Sequence, residues 1–505
     1  MQLRASARGA AAFRPPRASR CHARCAAAAA EPVSSGEPRA RLLCIVSDTA
    51  QSPYRLPREL GGDTVSWAEA AEHLSKRVSW TEPTFVASSV TATRALGPDA
   101  PRVLELVAAA DVVVFLGVTE PRDCDALAQL AAAAPCVLAF DCSPTLAAQQ
   151  RLHYMPSNLL AGLLSATPPW ARENKDAKLL TQTAELVARK LPNDFVFALL
   201  LILDSCVAPL TTMTMAKPTG PGTLFCMARN CGSEVLACVN DPVCKRALDC
   251  LTDCGLNDQV CSYRCIVSYE TPKFETFSLC VLQKHNCLRN FAQRPMLPHI
   301  QPMAVHRGEA LTHDRAEALL AGWLSGAGLG HSLVGDESNQ LPWSWRVAAG
   351  QNPAFDHFPA QHQLYYKKGR SMWYDPVFAV ETLDGKWEWR RRHYRVKRGS
   401  APGLFTYSVL DNGVTSLEYW TLVDADDDLT WALFAYSGAA ESAGQAYSGA
   451  VLCTPTGAWP AAEQLPRVAA AHARCGIAMW ETYSVDNSEE RVRGAPLGTE
   501  EAVPA

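Results

Sequence analysis

No apolar run approaches the ~18 residues that a membrane-crossing helix needs. The longest, Phe195 to Leu203, closes on Asp204. Neither charge is in large excess: 47 Lys and Arg face 51 Asp and Glu, for a net charge of -4. That balance gives no global pull toward nucleic acid or anionic lipid. No glycine-rich phosphate loop follows a strand, so no nucleotide is assigned. No C-x2-C knuckle of the kind that opens a structural zinc site occurs, and no metal is expected. Hydrophobic residues are plentiful, at 48% of 505, which excludes wholesale disorder and leaves room for several cores.

Residues 1–40 read as leader rather than fold. Met1 to Ala30 holds six arginines, much alanine and no acid, the composition of an organelle transit peptide. Residues 41–215 form a region of unknown role. Leu42–Val46, Asp111–Gly117 and Cys136–Phe140 are near-continuous apolar strands, with helical spacing over Trp67–Val78 and Asp123–Ala134. That order predicts a small parallel sheet in an α/β domain. Asp141-Cys142-Ser143 stands where sites of such sheets often lie, but reads first as a cap. Phe195–Leu203 is expected to pack as a buried helix or strand.

Ten cysteines crowd residues 226–287: Cys226, Cys231, Cys238, Cys244, Cys250, Cys254, Cys261, Cys265, Cys280 and Cys287. The number is even and the segment poor in large apolar residues, so disulfides are expected to staple it. Cys250 and Cys254 share one helical face, as do Cys261 and Cys265. Asn257 and Asp258 turn the chain between them, which favours nested bridges Cys250–Cys265 and Cys254–Cys261. Such a module (residues 222–290) requires an oxidising compartment. A Pro- and Gly-containing connector follows over 291–340.

From 341 to 485, β signals recur. Eight strands are predicted: Trp345–Gly350, Gln361–Tyr366, Ser371–Thr382, Lys386–Val396, Leu404–Leu410, Val414–Val423, Leu429–Tyr436 and Tyr447–Thr454. Asp384-Gly385 and Asn412-Gly413 are hairpin turns, and Asp424–Asp428 makes a third. Eight antiparallel strands in hairpin order close most simply into an up-and-down barrel whose mouth holds one apolar ligand. Residues 460–475 form an outer amphipathic helix, and 486–505 a tail. The fold class is thus α+β multidomain: a small α/β domain, a disulfide-rich helical module and an eight-stranded barrel with a C-terminal helix.

The cysteine intervals of 4, 6, 5, 5, 3, 6, 3, 14 and 6 residues, followed by such a barrel, resemble the violaxanthin de-epoxidase family. Gly350-Gln351-Asn352-Pro353-Ala354-Phe355-Asp356 and Tyr447-Ser448-Gly449-Ala450-Val451 resemble two further motifs of that family. The added 41–215 region is similar to its related branch. The resemblance implies a lipocalin-like barrel and removal of an epoxide oxygen from xanthophylls, with ascorbate as reductant. It implies a place in the chloroplast, in the thylakoid lumen or on its membrane surface, and leaves room for a homodimer; no nucleic acid is implied. It also implies bridges Cys226–Cys244, Cys231–Cys238 and Cys280–Cys287 beside the nested pair.

By resemblance the acid is an Asp on an inner strand, where this chain has Leu417. Glu418 is one position on, so strict alternation from Leu417 would aim it outward. Glu418 or Asp356 is taken as the acid and Tyr436 as its partner, while Cys453 replaces another family tyrosine. The family's pH-responsive histidines fall on Gln363 and Tyr366, making His357 and His362 the substitutes. The family's bridge from module to barrel is lost at both ends, at Leu224 and Ala360. Two other readings compete: a non-catalytic lipocalin carrying a carotenoid or other apolar ligand, and a redox-responsive regulator.

Overall fold

A computed structural model describes residues 37–153, 169–215, 220–322, 343–352, 357–368 and 371–497. The arginine-rich leader and the extreme C terminus lie outside these residues.

The first domain is built on four parallel strands, β1 (Ala40–Val46), β2 (Phe85–Thr91), β3 (Val112–Leu116) and β4 (Cys136–Phe140), in the order β2-β1-β3-β4. Three match the apolar runs. The fourth, β2, carries Ser88-Ser89 at its centre and edges the sheet, so it lacks the continuous apolar signal of a strand covered on both faces. Helix α1 (Trp67–Thr81) and helix α2 (Pro192–Cys206) cover one face of the sheet. The apolar run at Phe195 is therefore a buried helix. Ser143 caps the short helix after β4, accepting from Leu146 N–H at 3.4 Å, and so serves as the expected cap. No helix among the described residues is long and apolar enough to cross a membrane.

All ten module cysteines are bridged, in the pairs Cys226–Cys287, Cys231–Cys280, Cys238–Cys244, Cys250–Cys265 and Cys254–Cys261. The nested pair inferred from helix faces is present, with Cys261 and Cys265 on helix α3 (Gln259–Tyr269). The other three pairings differ from those the resemblance implied. The final turn of the module, around Cys280 and Cys287, folds back onto its first helix, so the outer cysteines meet across the whole module rather than locally.

The barrel runs β5 (Trp343–Gly350), β6 (His362–Lys368), β7 (Ser371–Glu381), β8 (Trp387–Arg391), β9 (Tyr394–Arg398), β10 (Leu404–Asp411), β11 (Val414–Ala425), β12 (Ala432–Ala440) and β13 (Gln445–Thr454). Pairing of β6 with β5 closes an eight-stranded antiparallel ring; β8 is a side branch on β7. The single strand expected over Lys386–Val396 is thus two. The chain bends at Arg392-His393, with β8 on the far half of β7 and β9 on its near half. Arg391 and His393 both bond Asp375 there, at 2.7 and 2.8 Å. Leu429 has φ +55° and belongs to the turn, not the strand. Asn412 and Gly413 both have positive φ, as a two-residue hairpin turn requires.

One end of the barrel is filled. Trp345, Tyr365, Tyr407 and Phe434 are fully buried there. A helix over His313–Leu320 packs beneath them, and Trp345 Nε1 donates to Leu320 O at 3.1 Å. Helix α4 (Leu465–Arg474) packs on the outer wall through Val468 and Ala471.

Candidate active site at the barrel mouth

The other end of the barrel opens into a cavity of about 370 Å³. Strand β11 sets its chemistry. Leu417 is 40% exposed while Glu418 is 8% exposed, so the inward set is Glu418, Trp420 and Leu422. The carboxylate therefore faces the interior, and the register places Leu417 outside. The only irregularity in the β11–β12 pairing falls later, between Leu422 and Asp424; no bulge is needed to turn Glu418 inward.

Two aromatic donors hold Glu418. Trp420 Nε1 donates to Oε2 at 2.7 Å, and Tyr447 donates its hydroxyl to Oε1 at 2.8 Å. Burial among apolar walls raises the carboxyl's pKa, and these two bonds offset only part of that rise. The group thus keeps its proton more readily than a solvated glutamate. Tyr436 lies beside it, its ring 5.5 Å from that of Trp420 and 6.4 Å from that of Tyr447. Burial also raises the Tyr436 pKa, so its hydroxyl stays protonated.

These bulky groups fit because each faces a glycine. Tyr436 pairs with Gly449, and Gly438 lies between Glu418 and Tyr447 in register. A Cβ on Gly449 would stand 2.6 Å from the Tyr436 hydroxyl. One on Gly438 would stand 2.9 Å from the Tyr447 ring and 3.0 Å from Glu418 Cγ. Gly438 and Gly449 leave the space that these side chains occupy.

The disulfide module roofs the cavity. Helix α3 supplies Gln259 and Tyr263 to the lining. Tyr263 packs against Phe358 and Phe378 at 5.3 and 5.7 Å. Arg264 donates to Glu381 O at 2.7 Å, and Glu270 pairs with Arg390 and Arg392 at 2.6 and 3.0 Å. Polar and aromatic contacts hold the module where no covalent tie exists.

The remaining sequence candidates fare differently. Asp356 lies outside the described residues. His362 is buried, and burial and the nearby Arg346 guanidinium lower its pKa to about 3. His357 is exposed. Cys453, at the position of the replaced tyrosine, is buried, and burial raises its thiol pKa well above the ordinary value. Two site residues escaped the sequence reading, Trp420 and Tyr447. Parity was the available signal: Tyr447 shares the inward set of β13 with Gly449 and Val451. The clusters Cys231-Cys280-His285 and Cys254-Cys261-Cys265 have metal-like spacing, but their cysteines are oxidised and offer no thiolate.

Similar solved structures include insecticyanin from the tobacco hornworm Manduca sexta, at 11% identity. It aligns over 29% of this chain and 79% of that one, with TM-score 0.24. Lobster apocrustacyanin A1 aligns at 11% identity over 40% and 96%, with TM-score 0.23. The bovine lipocalin allergen Bos d 2 aligns at 6% over 28% and 88%, with TM-score 0.21. No curated protein matches the chain in sequence. A family model, the VDE lipocalin domain, matches residues 223–487, spanning both the disulfide module and the barrel. By that match, over more than half its length, the chain belongs to the violaxanthin de-epoxidase family.

Proposed function

We propose that this protein is a xanthophyll de-epoxidase of the plastid, using ascorbate as reductant, with Glu418 as its acid. The observation that carries this reading is a carboxyl buried in an apolar mouth, with raised pKa, between two aromatic donors. Opening an epoxide requires a proton on the oxygen as its first carbon–oxygen bond breaks. A carboxylic acid kept neutral by burial suits that step in mild acid. In balance, the epoxide accepts two electrons and one proton from the ascorbate anion and a second proton from the medium. It becomes an alkene, its oxygen leaves as water, and ascorbate becomes dehydroascorbate. Glu418 delivers the first proton and is reprotonated from the medium, while Tyr447 holds Oε1 through its hydrogen bond. Tyr436 and Trp420 wall the reacting ring.

Five disulfides require a compartment that permits their oxidation. With the arginine-rich leader, this supports a plastid address and the thylakoid lumen. The deciding experiment incubates oxidised protein with violaxanthin, a galactolipid and ascorbate at mildly acidic pH. The expected product is zeaxanthin. Tight pigment binding without product over hours would replace this reading with that of a carrier.

A further inference from the structure

A second cavity, of about 280 Å³, lies where the first domain meets the barrel rim. It shares Gln259, Asn352 and Tyr447 with the mouth cavity. Those three side chains are wall to both spaces. Asn352 Nδ2 donates to Gln259 Oε1 at 2.9 Å, and Tyr447 bonds Glu418 on the other side. The second space owes its existence to the first domain. Trp80 comes from α1, Phe197 and Leu200 from α2, and Met213 from the strap that follows. A buried ion pair fixes that docking: Glu481, beyond the barrel, accepts from Arg77 at 2.5 Å and pairs with His73 at 2.6 Å. Arg77 then donates to Asn193 Oδ1 at 2.7 Å, and Gln351 of the rim donates to the same oxygen at 3.2 Å.

The filled end of the barrel blocks a long ligand from passing downward. A ring at Glu418 must send the rest of its molecule back over the rim, and the second cavity begins there. Its walls combine aromatic and thioether surface with amides and hydroxyls such as Asn193, Thr211 and Gln293. That lining matches an apolar chain ending in a hydroxylated ring.

We infer that the two cavities form one bent channel. In it the 41–215 region binds the distal, hydroxyl-bearing end of an elongated isoprenoid whose near ring sits at Glu418. This inference rests on the proposed de-epoxidase reading and gives the first domain a role in selectivity, favouring long two-ended ligands over short one-ended ones.

The test compares two ligands on the full oxidised chain by quenching of tryptophan fluorescence. One is violaxanthin, with two rings. The other is 5,6-epoxy-β-ionone, with one epoxidised ring and a short side chain. Phe197→Trp and Met213→Trp each fill the second cavity from a different segment. The ratio of long- to short-ligand affinity is expected to fall about tenfold in both variants, since a blocked subsite removes contacts only the long ligand makes. An unchanged ratio in both variants overturns the inference and leaves the de-epoxidase reading intact. A wild-type chain that binds the short ligand but not violaxanthin overturns both this inference and the de-epoxidase reading. Binding of neither ligand defeats the de-epoxidase reading itself, and this inference with it.

Discussion

Tyr447 bonds Glu418 across an intervening strand. The two residues sit on β13 and β11, yet hydroxyl and carboxyl meet at 2.8 Å because Gly438 of β12, between them, has no side chain. Gly438→Ala would set a methyl 2.9 Å from the tyrosine ring and 3.0 Å from Glu418 Cγ. Overpacking of this kind costs about 1–3 kcal/mol. The expected result is a lowered thermal midpoint together with loss of turnover. A variant with wild-type midpoint and rate would show that the bond across β12 is dispensable.

Glu418→Gln should reduce zeaxanthin formation by roughly 10²–10⁴, the usual worth of a positioned acid. It should also change the pH dependence of stability. The folded-state pKa of Glu418 is raised above the ordinary 4.5. Above that pH the unfolded chain ionises first, so stability falls as pH rises until the raised value is passed. The glutamine variant lacks that fall. Denaturant titrations across the acid range compare the two slopes.

Tyr447→Phe removes a bond that favours the ionised carboxylate. The Glu418 pKa should therefore rise further, and the basic limb of the rate–pH profile should move to higher pH. Tyr436 makes no hydrogen bond to Glu418 among the described residues, so Tyr436→Phe should slow turnover while leaving that limb in place. Parallel pH–rate profiles of the two variants separate the roles.

Peptide mapping without reduction should recover Cys226 linked to Cys287 and Cys231 linked to Cys280. In the chain-entropy account a bridge contributes more the longer the loop it closes; Cys226–Cys287 spans 61 residues against 6 for Cys238–Cys244 and, even with Cys231–Cys280 nested inside it, closes the longer loop. Cys226→Ser/Cys287→Ser should accordingly lower the denaturant midpoint more than Cys238→Ser/Cys244→Ser.

Glu481 carries the opposite linkage to Glu418. Burial alone would raise its pKa, but Arg77, His73 and the Ala478 N–H outweigh burial and lower it. Its stabilisation is present above 4.5 and is lost as pH falls through the folded value. Glu481→Gln leaves Arg77 without a charged partner at the domain junction. The loss should be about 3–5 kcal/mol, read as earlier separation of the first domain in limited proteolysis.

Much of this architecture is legible in the sequence because strong local chemistry agrees with the tertiary outcome. Asn412-Gly413 marks its hairpin by backbone preference alone, and the i, i+4 cysteines fix the nested bridges. Other features require partners distant in sequence. The parity of Glu418 cannot be read from β11 by itself, since Leu417 and Tyr419 suit an inner face as well as Glu418 and Trp420 do. The break at Arg392-His393 depends on Asp375, which is remote in sequence. The long-range bridges depend on where the module's last turn lands, which spacing does not specify. His362 reads as a titrating ring until its burial is known.

The packed base beneath Trp345, Tyr365 and Tyr407 makes the barrel a cul-de-sac. Whatever enters the barrel must back out at the end by which it came in, so a departing molecule and its successor share one doorway.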